Sequence, residues 1–296
     1  AIQFNANDDH AVAAMVAIGD GDNEGAHLAF NTTSAASANS YFTSTTERMR
    51  IDSSGNVGIG TTSNFNGKLN VFNGTDFSTA SSTSVDNIYL TSDATSGDGV
   101  YGASIAFSRV QYPDRRSAAI ASVQKGSDED NVGLAFFTHP SATATDPIVE
   151  AMRIDSSGNV GIGVTPESWE SGFQAVQLGG LGSWVASTGQ TAGSWNSQMN
   201  NVYRDSAWKY IVTDEAVLYQ QAHGTHTFFV APSGTADAEI TFTTAMTIDN
   251  SGKTTMSHGQ SVTGTTGTLN IRRNNASRII YTESYDTSLQ YHHVFG

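Results

Sequence analysis

Short runs of alternating apolar and polar residues recur along the chain, and they predict β-strands. In Met49-Arg-Ile-Asp52 the apolar side chains alternate with polar ones, and in Val57-Gly-Ile-Gly60 they alternate with glycine. A period of two places successive side chains on opposite faces of a strand. Long helical periodicity is absent, and the alanine-rich stretch 11–17 is interpreted as a strand or short turn. The pattern therefore predicts an all-β fold.

The two runs flank residues 53–55, and together they predict a β-hairpin. A two-residue loop would pair Ile51 with Gly58 and put apolar side chains on both faces of the hairpin. A three-residue loop pairs Ile51 with Val57, and it pairs the remaining apolar positions of the two runs in the same way. Such loops usually combine a type I turn, which favours Asp at its first position, with a glycine in the left-handed conformation. Asp52 and Gly55 fit these places.

The hairpin sequence is repeated along the chain. Residues 49–60 return letter for letter at 152–163, and a degraded copy at 246–256 keeps the turn residues as Asp249 and Gly252. Repetition of this kind is typical of tandem arrays, in which every copy meets the same structural demand. Strand-like segments upstream of the first two hairpins also match, so we predict that a unit of about sixty residues has been duplicated.

The repeats predict an elongated array of antiparallel β modules. Gly, Ser, Thr and Asn are dense in the connecting stretches 61–83 and 165–206, which hold strand-like bursts such as residues 68–72. The predicted modules are residues 1–63, ending in hairpin 49–60; residues 64–166, a connector and a second module ending in hairpin 152–163; residues 167–259, a Trp-bearing connector and a third module ending in the degraded hairpin 246–257; and residues 260–296, the start of a fourth module.

Composition narrows the classes of function. Charged residues make up 14% of the chain, against roughly 25% in ordinary globular proteins. A net charge of −14 with four lysines argues against nucleic acid and anionic membranes as partners. The absence of cysteine excludes disulfides and thiolate metal sites. No apolar run approaches the length of a membrane span, so we predict no membrane insertion.

Several residue clusters could carry chemistry, but each has a plainer interpretation. The acidic segments 20–24 and 127–131 could hold Ca²⁺, although neither meets the full EF-hand pattern and a solvated turn is favoured. A histidine ring on a three-fold axis could bind a metal, but isolated histidines in strands are mostly surface or packing residues. No metal, cofactor or catalytic residue is predicted. The histidines that could form such a ring are His223, His226, His292 and His293.

The strand glycines and the tryptophans are candidate contact sites. Bare backbone at Gly58, Gly60, Gly161 and Gly163 predicts that a neighbouring element, with another subunit among the alternatives, packs there. Their G-x-x-G-x-G order does not match a dinucleotide-binding loop. The stretch 165–208 is rich in aromatic residues that could be sugar platforms or core, and we expect its exposed aromatics to contact a receptor. Its tryptophans are Trp169, Trp184, Trp195 and Trp208.

The repeated segments resemble bacteriophage tail fibres, notably marine and cyanophage-type fibres with copies of this hairpin. The resemblance is carried by residues 49–62 and 152–165, and by the series 208–211, 231–234 and 245–249. It implies an elongated homotrimer on the virion, outside the cell, joined to other tail or baseplate proteins and contacting a host glycan or protein receptor. Such fibres often carry an endosialidase-type intramolecular chaperone, which no segment of this chain matches.

Pattern and resemblance together predict a structural protein without enzymatic activity. The chain would form part of the trimeric shaft of a tail fibre that positions or contributes to attachment to the host surface. Two alternatives remain open at this point. One is a tailspike that degrades a polysaccharide, which needs two facing carboxylates that no pair in the sequence suggests. The other is a bacterial surface filament built from phage-fibre modules.

Overall fold

The fold of the described chain consists of β-strands and their connections. The computed structural model describes residues 2–5, 11–21, 25–33, 45–63, 67–80, 86–93, 95–111, 115–143 and 145–256. Within these ranges there is no helix, and hence none that could cross a membrane. The all-β prediction is confirmed for this part of the chain. The alanine-rich stretch is a strand, Ala11–Gly19, as expected.

The chain divides into two compact units, Ala1–Val149 and Glu150–Gly296. In the first unit, β1 to β6 form a sheet in which spatial order equals sequence order, and β7 to β9 pair in the same sequential way. Neighbours are antiparallel except β5 and β6, which are parallel. The strands are β1 (Ile2–Asn5), β2 (Ala11–Gly19), β3 (Ala26–Thr33), β4 (Thr45–Ile51), β5 (Val57–Ile59), β6 (Leu69–Val71), β7 (Tyr101–Phe107), β8 (Ala118–Gln124) and β9 (Val132–Thr138).

The second unit holds the remaining strands. Its main sheet has the order β10-β11-β12-β13-β14-β17-β18-β19-β20, and β15 and β16 form a small separate hairpin. Among the described strands of this sheet, only β11 and β12 are parallel neighbours. The strands are β10 (Val149–Ile154), β11 (Val160–Ile162), β12 (Phe173–Leu178), β13 (Gly182–Ser187), β14 (Trp195–Asn200), β15 (Tyr203–Arg204), β16 (Trp208–Lys209), β17 (Asp214–Ala222), β18 (Thr225–Gly234), β19 (Thr243–Ile248) and β20 (Thr254–Met256).

All three predicted hairpins form in the predicted register. Ile51 pairs with Val57 and Met49 with Ile59 in the first copy. The second copy has the same pairs 103 positions later, and the degraded copy pairs Met246 with Met256. The loop therefore has three residues in each copy, because this register alone keeps the apolar side chains on one face. The burst at residues 68–72 is also a strand, Leu69–Val71, which lies parallel to β5.

The stretch 165–206, predicted as a connector, is instead a packed part of the second unit. It contains β12, β13, β14 and β15, and it contributes to a core with Val185, Val202 and Leu218 at its centre. The prediction underestimated this stretch because its core positions alternate with Ser, Asn and Gln. Buried amides and hydroxyls such as Asn201 replace aliphatic side chains there. The predicted fourth module, 260–296, lies outside the described residues, and the module boundaries stay a prediction.

Candidate functional site: the repeated hairpin

Each hairpin turn is closed by the same set of hydrogen bonds around an aspartate. The Gly55 N–H donates to the Asp52 carbonyl at 3.0 Å, and the Asp52 N–H donates to the Asn56 carbonyl at 2.9 Å. Asp52 Oδ1 accepts from the N–H groups of Ser54, at 2.9 Å, and Asn56, at 2.7 Å. The carboxylate thus satisfies two backbone donors that the turn leaves without strand partners. Asp155 and Asp249 accept the equivalent bonds.

These bonds favour the charged form of the aspartate. The backbone N–H of Asn56 is the largest cause that lowers the pKa of Asp52. In the degraded copy the Ser251 hydroxyl donates to Asp249 at 2.6 Å and is the largest cause that lowers its pKa. Hydrogen bonds donated to a carboxylate stabilise its ionised state. The turn is therefore held most firmly when the aspartate is ionised.

The glycine at the third position of each loop adopts the left-handed backbone conformation that was predicted. Gly55, Gly158 and Gly252 have φ values of 75°, 85° and 82°. In this left-handed region a side chain strains the backbone, so glycine is favoured. At Gly55 an added Cβ would meet nothing within 4 Å, whereas at Gly158 it would meet Gln174. The demand for glycine at Gly55 is thus a backbone demand alone.

A β-bulge sets the face on which the strand before the turn carries its charges. Phe30 pairs with Met49 and Asn31 with Glu47, so Arg48 is an extra residue in the strand. Glu47 and Arg50, three positions apart, therefore lie on the same face, whereas a regular strand would place them on opposite faces. Arg50 Nε and Nη2 donate to the two carboxylate oxygens of Glu47 at 2.5 and 2.7 Å. The hydrogen bond to Glu47 is the largest cause that raises the pKa of Arg50.

The second copy has the same ion pair. Arg153 donates to Glu150 through Nε and Nη2 at 2.5 and 2.7 Å, and both side chains are largely buried. The backbone is also bonded alike in the two copies: the Gly60 N–H donates to the Arg48 carbonyl, and the Gly163 N–H donates to the Ala151 carbonyl, both at 2.9 Å. Sequence reasoning missed this pair because it began the repeat at the methionine. A glutamate three residues before the arginine at both places was the available indication.

The degraded copy keeps the bulge and loses the charges. Phe228 pairs with Met246 and Phe229 with Thr244, so the extra residue falls at the same place as in the first copy. The positions of Glu47 and Arg50 are taken by Thr244 and Thr247. The bulge is thus independent of the ion pair. Strand geometry is the stricter requirement, and the charged pair is an addition in the first two copies.

The asparagine after the glycine has different surroundings in the two identical hairpins. Asn56 is half-buried, and its amide donates to Asp52 Oδ2 at 2.9 Å. Asn159 is 1% exposed, and its Oδ1 also accepts from the Ala175 N–H in β12 at 3.0 Å. The second hairpin is therefore tied to the following strand through a side chain as well as through backbone pairing.

Two of the strand glycines have the close neighbour that was predicted, and in both cases it belongs to the same chain. A Cβ at Gly60 would meet the Phe72 carbonyl, and one at Gly161 would meet the Val164 carbonyl and Pro166. A Cβ at Gly163 would meet no described atom within 4 Å. At Gly60 and Gly161 the predicted neighbouring element is therefore the stretch of the same chain that follows each hairpin.

The acidic and histidine clusters occupy hairpin turns or exposed strand positions. Residues 127–131 form the exposed turn between β8 and β9, where Asp128 Oδ1 accepts from the Asp130 N–H at 3.0 Å. In the segment 20–24, residues 22–24 lie outside the described part. His223 occupies the tight turn between β17 and β18 with φ 53°, and His226 Nδ1 lies 2.6 Å from the Tyr219 hydroxyl oxygen.

Within the part of the chain that the structure describes, no group of three or more His, Asp or Glu could hold a metal ion. His292 and His293 lie outside that part. A small cleft of about 270 Å³ in the second unit has mainly apolar walls. It is lined by Trp208, Leu218, Gln220, Phe229, Ile240 and Phe242.

Three of the four tryptophans belong to or flank the core of the second unit. Trp169 is 7% exposed, and Trp195 and Trp208 are half-buried with ring centroids 5.5 Å apart. The Arg204 guanidinium lies over the Trp208 ring, 5.3 Å from its centroid. Trp184 alone is exposed, at 55%. The expectation of a receptor contact among exposed aromatics of this stretch thus narrows to one tryptophan.

No protein-family model matches the chain, and a comparison with curated proteins found no match either.

Proposed function

We propose that the chain is a structural segment of a bacteriophage tail fibre, a homotrimeric shaft that holds the host-attachment parts of the fibre in position. The observation that supports this most is the repeated hairpin. Three copies share register, turn hydrogen bonds and left-handed glycine, although one has lost its ion pair. A feature copied in this way serves a repeated mechanical demand, because a catalytic or ligand site is needed once and not at intervals along a chain.

The proposal places the protein in the virion, with other copies of itself and tail or baseplate proteins as partners. The sequence resemblance to marine and cyanophage-type fibres supports this placement. Large apolar side chains such as Ile59 and Ile162 are 40% and 43% exposed in a single chain, and their position in the sheets supports association between copies. Attachment to a host glycan or protein would be made by parts of the fibre that vary, because scaffolds are kept while loops diverge.

Two measurements test the proposal. Sedimentation equilibrium is expected to give three times the 31.2 kDa of one chain. An antibody against the chain is expected to label tail fibres of the phage that encodes it. A stable folded monomer at micromolar concentration would contradict the trimer. Label on bacterial filaments and not on virions would point to a cell-surface protein, and oligosaccharides released from host polysaccharide would point to a depolymerase.

A further inference from the structure

The first module carries large apolar side chains on one face of its sheet, and several of them are exposed. Strand pairing places Ile2, Phe4, Leu28, Ile59 and Leu69 on the same face of β1 to β6, and these side chains are between 38% and 62% exposed. Large apolar side chains normally occupy the covered face of a sheet and leave the exposed one to polar residues. Here the apolar face is the open one.

The opposite face of the same sheet is more buried although most of its side chains are smaller or polar; its larger apolar residues, Val16 and Ile18, are half-buried. Ala14 and Ala29 are 2% and 0% exposed, and Gly58, opposite Arg50 in the strand pairing, is buried. The ion pair of Glu47 and Arg50 lies on this face, next to Ala29 in the register. The module therefore has a closed face that carries charge and an open face that carries large apolar groups.

The second module repeats this inversion at equivalent positions. Ile105, Phe107 and Leu134 lie on one face of β7 to β9 and are 47% to 51% exposed. They correspond in the duplicated sequence to Ile2, Phe4 and Leu28. Ala119, Ala121 and Ala135, on the other face, are at most 5% exposed. Exposure at the same positions of two copies indicates that the open face is a property of the repeat.

The sheet of the second unit has a corresponding open face. One cross-strand row contains Trp184, Gln198, Tyr219, Phe228, Met246 and Met256. Phe228 and Met246 stand where the first module has Phe30 and Met49 on its apolar face. Trp184, Phe228 and Met256 are between 39% and 66% exposed. The third copy of the hairpin thus also turns its apolar residues to an uncovered surface.

We infer that these open apolar faces, here called the apolar faces, are the surfaces through which copies of this chain associate, each covered by the apolar faces of two further copies. The inference rests on the proposed homotrimer and names its interface. Charge supports a second copy as the occupant. The chain carries a net charge of −14, yet no paired position of these faces in the described strands holds Asp, Glu, Lys or Arg. Two acidic chains can therefore approach each other through these faces without bringing like charges together at the contact.

The size of the faces also fits association between repeats. Six strands about 4.8 Å apart, each offering roughly three positions about 6.8 Å apart on a face, cover on the order of 600 Å². A stable interface buries roughly 800 Å² on each partner. One module is therefore too small, and two or three modules in one chain are enough. Repetition of the hairpin supplies this area, since every copy adds another apolar face of the same chemistry.

The test uses single cysteines, because the natural chain has none. Ile59→Cys lies on the apolar face of the first module, and Val212→Cys lies in a turn of the second unit. Both wild-type side chains are 40% exposed in a single chain, so they form a matched pair. At a concentration where the chain is trimeric, we expect maleimide to modify Ile59→Cys at least tenfold more slowly than Val212→Cys. Equal rates are expected in denaturant and on dilution to monomer.

A second pair of variants measures association directly. Ile59→Lys combined with Ile162→Lys, at equivalent places of two hairpins, is expected to sediment as a monomer whose circular dichroism remains that of β-sheet. Val212→Lys is expected to remain trimeric. Wild-type chain that is trimeric, with Ile59→Cys modified as fast as Val212→Cys and the double lysine variant still trimeric, would overturn the assignment of the interface and leave the trimer standing. Wild-type chain that is monomeric at every concentration would overturn the proposed trimer itself.

Salt dependence separates this interface from one held by ion pairs. Screening weakens attraction between opposite charges and also weakens repulsion between acidic chains. Association through the apolar faces is expected to become tighter as sodium chloride is raised from about 0.01 M to about 0.15 M, which shortens the Debye length from about 30 Å to about 8 Å. Weaker association over the same range would mean that charged surfaces make the contact, and it would overturn the inference.

Discussion

Glu150 and Arg153 stand three residues apart on one strand and form a two-bond ion pair that is largely buried. The first module has the same pair in Glu47 and Arg50, and there the register shows that an extra residue in the strand turns both side chains to one face. In this respect the repeat copies a backbone irregularity together with the charges that depend on it.

Removing one charge of the pair is expected to cost more stability than removing both. Glu150→Thr leaves the Arg153 guanidinium largely buried without its carboxylate, and we expect a loss of about 1–3 kcal/mol. The double variant Glu150→Thr with Arg153→Thr reproduces the residues of the third copy, Thr244 and Thr247. It should lose less stability than either single variant, Glu150→Thr or Arg153→Thr. A double-mutant cycle from urea unfolding measures this coupling, and additive losses would show that the pair does not act as a unit.

The turn glycines are expected to tolerate no β-branched residue. Gly55→Val forces a branched side chain into the left-handed region and should cost on the order of 1–2 kcal/mol for each chain. Because an added Cβ at Gly55 meets nothing, this cost is conformational. Gly158→Val should cost somewhat more, since it must also displace Gln174, which donates to the Ser157 carbonyl at 3.0 Å. Differential scanning calorimetry measures both, and an unmoved transition for Gly55→Val would contradict the turn assignment.

Identical asparagines should respond differently to the same substitution. Asn56→Lys should be mild, because Asn56 is half-buried and the third hairpin already has Lys253 there. Asn159→Lys should cost about 3 kcal/mol or more, because it places an ammonium at a site that is 1% exposed and removes the acceptor of the Ala175 N–H. Comparison of urea midpoints for the two variants tests this. Equal effects would mean that the link from the second hairpin to β12 contributes nothing.

The sequence was sufficient for the hairpins because their evidence is local. Apolar alternation fixes the face of Ile51 and Val57, and a three-residue loop with Asp and Gly follows from turn chemistry. The pairing of strands that are distant in sequence could not be predicted in this way. The parallel pairing of β5 with β6 depends on where the connection after Gly60 leads, and the bulge at Arg48 depends on the partner strand. The core around Val185 was not predicted, because its neighbours Ser183 and Gln177 are buried polar residues and such residues are typical of an exposed connection.

Alkaline pH is expected to destabilise the second unit through Tyr203. This side chain is 5% exposed, and its hydroxyl donates to Asp237 Oδ1 at 2.8 Å. Burial, followed by the bond to Asp237, raises the pKa of Tyr203 above its ordinary value of about 10. The folded state then prefers the protonated phenol, so this stability is present below the unfolded pKa and is lost as pH rises through the folded one.

Tyr203→Phe removes the titrating group and is the control for that loss. The variant should unfold at a slightly lower temperature near neutral pH, because one hydrogen bond is missing, at about 1 kcal/mol. Its transition should depend less on pH above about 10 than that of the wild type. Transition temperatures measured by circular dichroism over the alkaline range test the difference, and parallel curves for the two proteins would exclude Tyr203 as the source.

Substitution of the most buried tryptophan, Trp169, and of the most exposed one, Trp184, should distinguish effects on folding from effects on association. Trp169→Ala empties a buried site in the core cluster that also contains Val202 and Tyr203, and it should cost about 3–5 kcal/mol. Trp184→Ala removes a side chain that is 55% exposed and should leave the unfolding of a single chain almost unchanged. Strand pairing puts Trp184 on the same face as Phe228 and Met246, so we expect Trp184→Ala to lower the mass in sedimentation and to reduce adsorption to host cells only through that loss of association. If adsorption fell while the trimer stayed intact, Trp184 would instead be a receptor contact, as the exposed aromatic of a sugar-binding surface would be.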